Sequence, residues 1–158
     1  MKTVLIKNGI MKKISLLSMV SLTLGLFYST SARAQSSRPY TEGPVWQVQF
    51  VQTKPGMGEQ YLKNLNDGWV KVVKEAKAEG IILDYKVLEA SIAAKTDWDL
   101  MLLIELKNYA VLDDMRDKME VIQAKIFGPE DVRQKAAVGR NDLRDLLGGK
   151  LARELIFK

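Results

Sequence analysis

The sequence predicts one small α+β domain, a four-stranded antiparallel sheet with its helices on one face. Three observations lead there. Val45 to Thr53 alternates apolar and polar residues with period two. Two stretches, from Glu59 and from Asn108, repeat apolar residues at three- and four-residue steps. Asp97 to Leu106 is a near-continuous apolar run of the kind that fills the middle of a sheet.

Residues 1–34 have the three parts of a secretory signal peptide. Lys12-Lys13 form a positive region, with Met11 before them as an alternative start. Ile14 to Tyr28 form an apolar stretch, short for a membrane-spanning helix. Ala32-Arg33-Ala34 places small residues where a signal peptidase reads them. The expected cut lies between Ala34 and Gln35, giving a periplasmic or secreted protein with no membrane attachment after cleavage. No Cys follows the cut, so a lipoprotein anchor is not expected. Residues 35–43 are polar and read as a flexible leader, with the folded domain spanning 44–158.

In the first strand, Trp46, Val48 and Phe50 fall on one side and Gln47, Gln49 and Val51 on the other. The apolar set is expected to lie under the helices. Pro55-Gly56 turns the chain into a helix over Glu59 to Glu79, where Tyr61, Leu62, Leu65, Trp69, Val72, Val73 and Ala76 make one stripe. Gly80 is its expected stop. Gly68 within it costs about 1 kcal/mol relative to alanine, which predicts a bend or a close approach there. Ile81 to Ala90 reads as a strand of mixed polarity, suited to an edge. Asn108 is the expected N-cap of the next helix, which carries Leu112, Met115, Met119, Ile122 and Ile126 and stops at Gly128-Pro129. Glu130 to Leu147 reads as a more polar helical stretch broken near Gly139. Gly148-Gly149 then leads into a last strand, Leu151 to Phe157.

The order matches a ferredoxin-like split β-α-β, β-α-β-β-α-β, with a helical insertion before the last strand. The first and third strands are central in that topology. Its two helices cover one face of the sheet, so the other face must meet water or another subunit. Gln47, Gln49 and Val51, with Met101, Leu103 and Glu105, are expected on that face and predict a homodimer.

Pro55-Gly56-Met57-Gly58, Asp97-Trp98-Asp99-Leu100 and Arg153-Glu154-Leu155, taken with this order, resemble the dimeric α+β barrel superfamily over about residues 44–158. That group includes stress-responsive barrel proteins and cofactor-free monooxygenases of the antibiotic-biosynthesis type. The resemblance implies two sheets facing each other in a dimer and a small ligand held between a protomer's sheet and its helices.

The formal charge of +5 comes from the amino terminus. Five of the 24 basic residues and none of the 19 acidic ones lie in residues 1–34, so the rest carries 19 of each sign. Intermingled signs exclude the basic face that nucleic-acid binding needs. There is no Cys and no His. This removes thiol and imidazole catalysis, haem ligation by His and an ordinary zinc site; no metal and no cofactor is expected.

Trp46, Tyr61, Trp69, Tyr85 and Trp98 are the candidate lining of a pocket for a small apolar or aromatic ligand, although core packing explains such residues equally well. Asp99 could act as a base; the plainer account has Asp97 and Asp99 at a strand entrance, one capping the turn and the other facing water or the subunit interface. Arg153 could anchor a carboxylate-bearing ligand, or pair with Glu105 or Asp99 across strands. The acidic residues Asp113, Asp114, Asp117 and Glu120 alternate with Arg116 and Lys118 and read as a solvated helix face. Two rival readings stand beside ligand binding. One is a cofactor-free monooxygenase or isomerase using Asp99, Tyr85 or Arg153, on which no motif of an active enzyme falls. The other is a non-catalytic interaction module.

Overall fold

The structure is a computed structural model that describes residues 38–91 and 94–158. The expected signal peptide and the first residues of the leader lie outside the described residues. Arg38–Lys158 forms one structural unit. Its elements are β1 (Tyr40–Thr53), α1 (Gly58–Leu65), a π-helical turn (Asn66–Val70), α2 (Lys71–Ala78), β2 (Asp84–Glu89), β3 (Leu100–Leu106), a 3-10 turn (Tyr109–Val111), α3 (Leu112–Phe127), α4 (Glu130–Arg140) and β4 (Arg144–Phe157). The sheet order is β2-β3-β1-β4 and every neighbouring pair is antiparallel. As predicted, the two most central strands are the first and third.

The register of β1 against β3 decides which side of each strand is buried. Val45 stands opposite Leu106, Gln47 opposite Ile104, Gln49 opposite Leu102 and Val51 opposite Leu100. Residues directly opposite each other in an antiparallel pair share a face. Leu100, Leu102, Ile104 and Leu106 are buried, together with Val45 and Val51. They pack against α1, α2 and α3 in two clusters. One gathers Val45, Val73, Ala76, Leu106 and Ile122. The other gathers Val51, Tyr61, Leu65, Leu100, Leu102 and Leu143. Trp69 touches both.

This reverses the face expected for β1. Gln47, Gln49 and Val51 lie on the helix side, and Trp46, Val48 and Phe50 lie on the open side with Met101, Leu103 and Glu105. Alternation alone is symmetric between the two faces. The buried valines Val45 and Val51, not the larger aromatics between them, meet the helices.

Three further expectations are corrected. Residues 40–43 of the expected leader belong to β1: Tyr40, Thr41 and Glu42 pair with Phe157, Ile156 and Leu155, and the Lys158 N–H donates to the Pro39 carbonyl at 3.0 Å. The polar stretch becomes strand because the far end of β4 supplies its hydrogen-bond partners. The helix from Glu130 ends at Arg140, and Arg144 to Leu147 is strand, so β4 has 14 residues. Asn108 places no side-chain cap on the helix that follows, which enters through the 3-10 turn.

The glycines explain two of these features. Gly148-Gly149 lets β4 continue where a helix-to-strand break was expected. Gly148 has φ of +122°, and the pairing with β1 shifts register between Phe50 and Val51. At Gly149 an added Cβ would lie 2.8 Å from the Val48 carbonyl oxygen. Gly68, by contrast, lies within the π-helical turn and an added Cβ would meet nothing within 4 Å. The irregular turn, not a close neighbour, accompanies the mid-helix glycine.

These two glycines should respond oppositely to alanine. Gly149→Ala forces backbone apart at the β1–β4 seam and should cost about 1–3 kcal/mol in urea denaturation. Gly68→Ala should be neutral or stabilise by up to about 1 kcal/mol. Equal effects of the two would contradict the strand pairing at Gly149.

Candidate functional site

The sheet separates the seven sequence-predicted site residues into two groups. Tyr61, Trp69, Tyr85, Asp99 and Arg153 lie on the helix side or at its rim. Trp46 lies on the open side, where Trp98 joins it by packing on Phe50, ring centroids 5.7 Å apart. The single pocket expected from them is therefore not assembled within one protomer.

On the helix side, Trp69 and Tyr85 meet edge to face at 5.7 Å and an interplanar angle of 86°. Both pack against the first core cluster. Tyr61, at 2 % exposure, belongs to the second. Their aromatic area serves the core, a role the sequence left open beside that of a pocket lining.

A polar group surrounds Tyr61 at the end of the sheet where β1 leaves and β4 begins. Asp99 accepts from the Thr53 backbone N–H at 3.0 Å to each carboxylate oxygen, and also from the Thr53 hydroxyl. The Asp99 N–H donates to the Val51 carbonyl at 3.0 Å. This carboxylate ties the start of β3 to the end of β1, where the plainer account had one of the two acids facing water or the subunit interface. Asp97, as that account expected of one of the pair, accepts from a turn N–H, that of Ala94, at 3.2 Å. Arg144 stands opposite Thr53 in the β1–β4 register. Its charge and hydrogen bonding act on the Tyr61 hydroxyl, as does the charge of Arg140. Burial pushes the Tyr61 phenol above its ordinary value, the two arginines oppose this, and Asp99 adds to the rise. Arg140 is itself held below the usual guanidinium range, first by burial and then by the neighbouring Arg144 cation.

Arg140 and Arg144 were not singled out by sequence reasoning. Their four-residue spacing was visible, but the segment read as helix, and only the turn at 141–143 and the cross-strand register bring them to Tyr61. An open groove of about 650 Å³ lies nearby, lined by residues that include Gln52, Thr53, Lys54, Lys95 and Asp145. Lys54 and Asp145 pair across it at 3.8 Å, and Gln52 donates to the carbonyls of Lys95 and Asp97 at 2.7 Å each.

On the open side, the Trp46 indole N–H donates to Glu154 at 3.2 Å, and Lys86 sits 4.9 Å from the ring centroid. Val48, Phe50, Met101 and Leu103 continue the apolar surface. Arg153 makes neither expected cross-strand pair. It donates to Glu42 at 2.8 Å and stacks 4.8 Å from the Tyr109 ring centroid. The bulge between Glu42 and Val45 brings Glu42 within its reach. The acidic helix face behaves as read, with Asp114 paired to Lys118 at 2.6 Å.

Strand order, pairing and helix placement define the class: a ferredoxin-like α+β fold with a four-stranded antiparallel sheet. No protein-family model and no curated protein matches the chain. Among solved structures it is similar to a dimeric ferredoxin-like protein from an uncultured marine organism, at 12 % identity over 74 % of this chain and 90 % of that one, with a TM-score of 0.46. It is also similar to a Pseudomonas aeruginosa protein, at 16 % identity over 73 % and 94 % with a TM-score of 0.40. A third is a dimeric protein of unknown function and ferredoxin-like fold from Bacteroides fragilis, at 13 % identity over 75 % and 100 % with a TM-score of 0.39.

The Tyr61 environment has a pH consequence. The phenol ionises near 10.0 in the unfolded chain and higher in the folded one. Its contribution to stability is therefore complete below that value and is lost as the pH rises beyond it. An ultraviolet absorbance titration should show a late-ionising phenol that Tyr61→Phe removes. A variant that lost only an early-titrating phenol would contradict the burial of Tyr61.

Proposed function

We propose that the mature protein is an exported homodimer whose two open sheet faces meet to form a barrel, and that this barrel holds a small apolar or aromatic ligand. The observation that carries this reading is the open face itself. Trp46, Val48, Phe50, Trp98, Met101 and Leu103 form one apolar surface that none of the described helices covers. A face of this kind is a site of association. Its charges are of both signs: Lys86 and Lys150 share it with Glu105 and Glu154. A two-fold interface places the same patch against itself, and a patch with both signs is able to complement its own copy.

β4 supports the same reading. It is an edge strand of 14 residues. It exposes apolar side chains on both faces, among them Leu151 at 47 % and Leu155 at 45 % on the helix side and Ile156 at 48 % on the open side. Edges of that length and character associate unless something covers them. The ligand is assigned to the space between facing sheets because Trp46, Phe50 and Trp98 stand there, whereas Tyr61, Trp69 and Tyr85 are packed into the core. Export rests on the three-part amino terminus described above.

Sedimentation and native mass spectrometry test the reading. Sedimentation at micromolar concentration should give a dimer, and Leu103→Lys should weaken it by roughly 100-fold, the effect of about 3 kcal/mol for an unpaired charge in an apolar interface. A wild-type monomer would end the dimer reading. Native mass spectrometry of protein purified from its own host should show a mature form starting at Gln35. It should also show extra mass per dimer; a bare dimer would leave the interaction module as the function.

A further inference from the structure

Arg140 closes α4 and Arg144 opens β4, and the turn between them is firmly held. The Leu143 N–H donates to the Arg140 carbonyl at 3.1 Å, and the Lys54 N–H donates to the Leu143 carbonyl at 3.0 Å. The Leu143 side chain is buried beside Tyr61 in the second core cluster. The backbone positions of Arg140 and Arg144 are thus set on either side of one anchored residue. Neither forms an ion pair with a carboxylate within 4.0 Å among the described residues; their side chains are half-buried nonetheless. Each of the other described partly buried arginines, Arg133 and Arg153, has a carboxylate partner.

Asp142, in the turn between the two arginines, is exposed and forms no ion pair with either of them, and two further acids nearby are committed elsewhere. Asp99 is bonded to Thr53. Asp145 stands opposite Gln52, on the face away from Arg144, and pairs with Lys54. The hydrogen bond from Arg144 Nη1 to Asn141 Oδ1 is long, at 3.4 Å. Arg144 Nε is buried with no hydrogen-bond partner among the described residues. A buried guanidinium donor ordinarily has a partner, and two adjacent cations without a counter-charge repel each other. An oxyanion answers both conditions, because its oxygens match the planar donor fork of arginine.

We propose that Arg140, Arg144 and the Tyr61 hydroxyl form a binding site for a small oxyanion, a carboxylate or a phosphate group, at the loop end of the sheet. The site is complete within one protomer. It does not depend on the dimer or on the ligand assigned to the barrel.

The test is thermal unfolding of the purified protein titrated with inorganic phosphate and, separately, with benzoate, each against sodium chloride at the same ionic strength. One of the two oxyanions should raise the Tm where chloride does not, and the effective one identifies the group. Arg144→Gln and Arg140→Gln should each weaken that response by about tenfold or more, as expected for loss of a charge-assisted pair. Arg140→Gln relieves repulsion and should not lower the Tm in the absence of the anion, so the proposal stays testable even if Arg144→Gln fails to fold. Lys54→Gln, which changes a nearby cation already paired with Asp145, should leave the response intact. The proposal is overturned if neither oxyanion exceeds chloride, or if Arg140→Gln responds as the wild type does. Sedimentation of the same samples separates these outcomes from failure of the dimer.

Discussion

The register of β1 is the constraint on which the rest of the structure depends. β1 is the strand that pairs with both β3 and β4. Once Val45 is opposite Leu106 and Val51 opposite Leu100, every side chain of the central sheet has its face assigned. The helices then close over two apolar clusters, one at Val45 and one at Val51, and Trp69 packs against both. A slip of one residue would place Trp46 and Phe50 under the helices and carry Val45 and Val51 out. The observed register keeps compact β-branched residues under the helix layer and turns the bulky rings to the open face.

That assignment separates two kinds of chemistry. The open face is apolar and aromatic, with charges of both signs on the same surface, and is suited to contact over a broad area. The helix side is core along most of its length and becomes polar at the end where Thr53, Asp99, Tyr61, Arg140 and Arg144 converge. Asp99 and Leu143 make that end rigid. One joins the end of β1 to the start of β3 through Thr53, and the other seats the turn before β4 in the core. The two cations stand half-buried on this support without a carboxylate partner among the described residues, which distinguishes them from the solvated Lys–Asp pairs on the helices.

The length of β4 links the two regions. Its first residue, Arg144, belongs to the polar end, and its later residues run along the open and helix-side edges of the sheet. Gly148 and Gly149 make this continuity possible. A side chain at Gly149 would press on the Val48 carbonyl, and the bulge beside it changes the direction of the strand while the pairing continues. The same strand therefore carries a candidate binding residue and an exposed apolar edge.

The sequence by itself determined the α+β class, the order of the elements and the central place of the first and third strands. Apolar periodicity and the continuous run of β3 follow from local chemistry and need no partner to be read. The charge balance of residues 35–158 was equally legible because it needs only counting, as was the pairing of Asp114 with Lys118, which are close in sequence. The tertiary structure alone decided which face of β1 is buried, since alternation gives two equivalent faces and only contact with Leu100 and Leu106 distinguishes them. It likewise decided that residues 40–43 are strand, that Arg153 pairs with Glu42, and that Arg140 and Arg144 meet at Tyr61. Each of these rests on pairing between residues far apart in the chain, where local propensity carries no information about the partner.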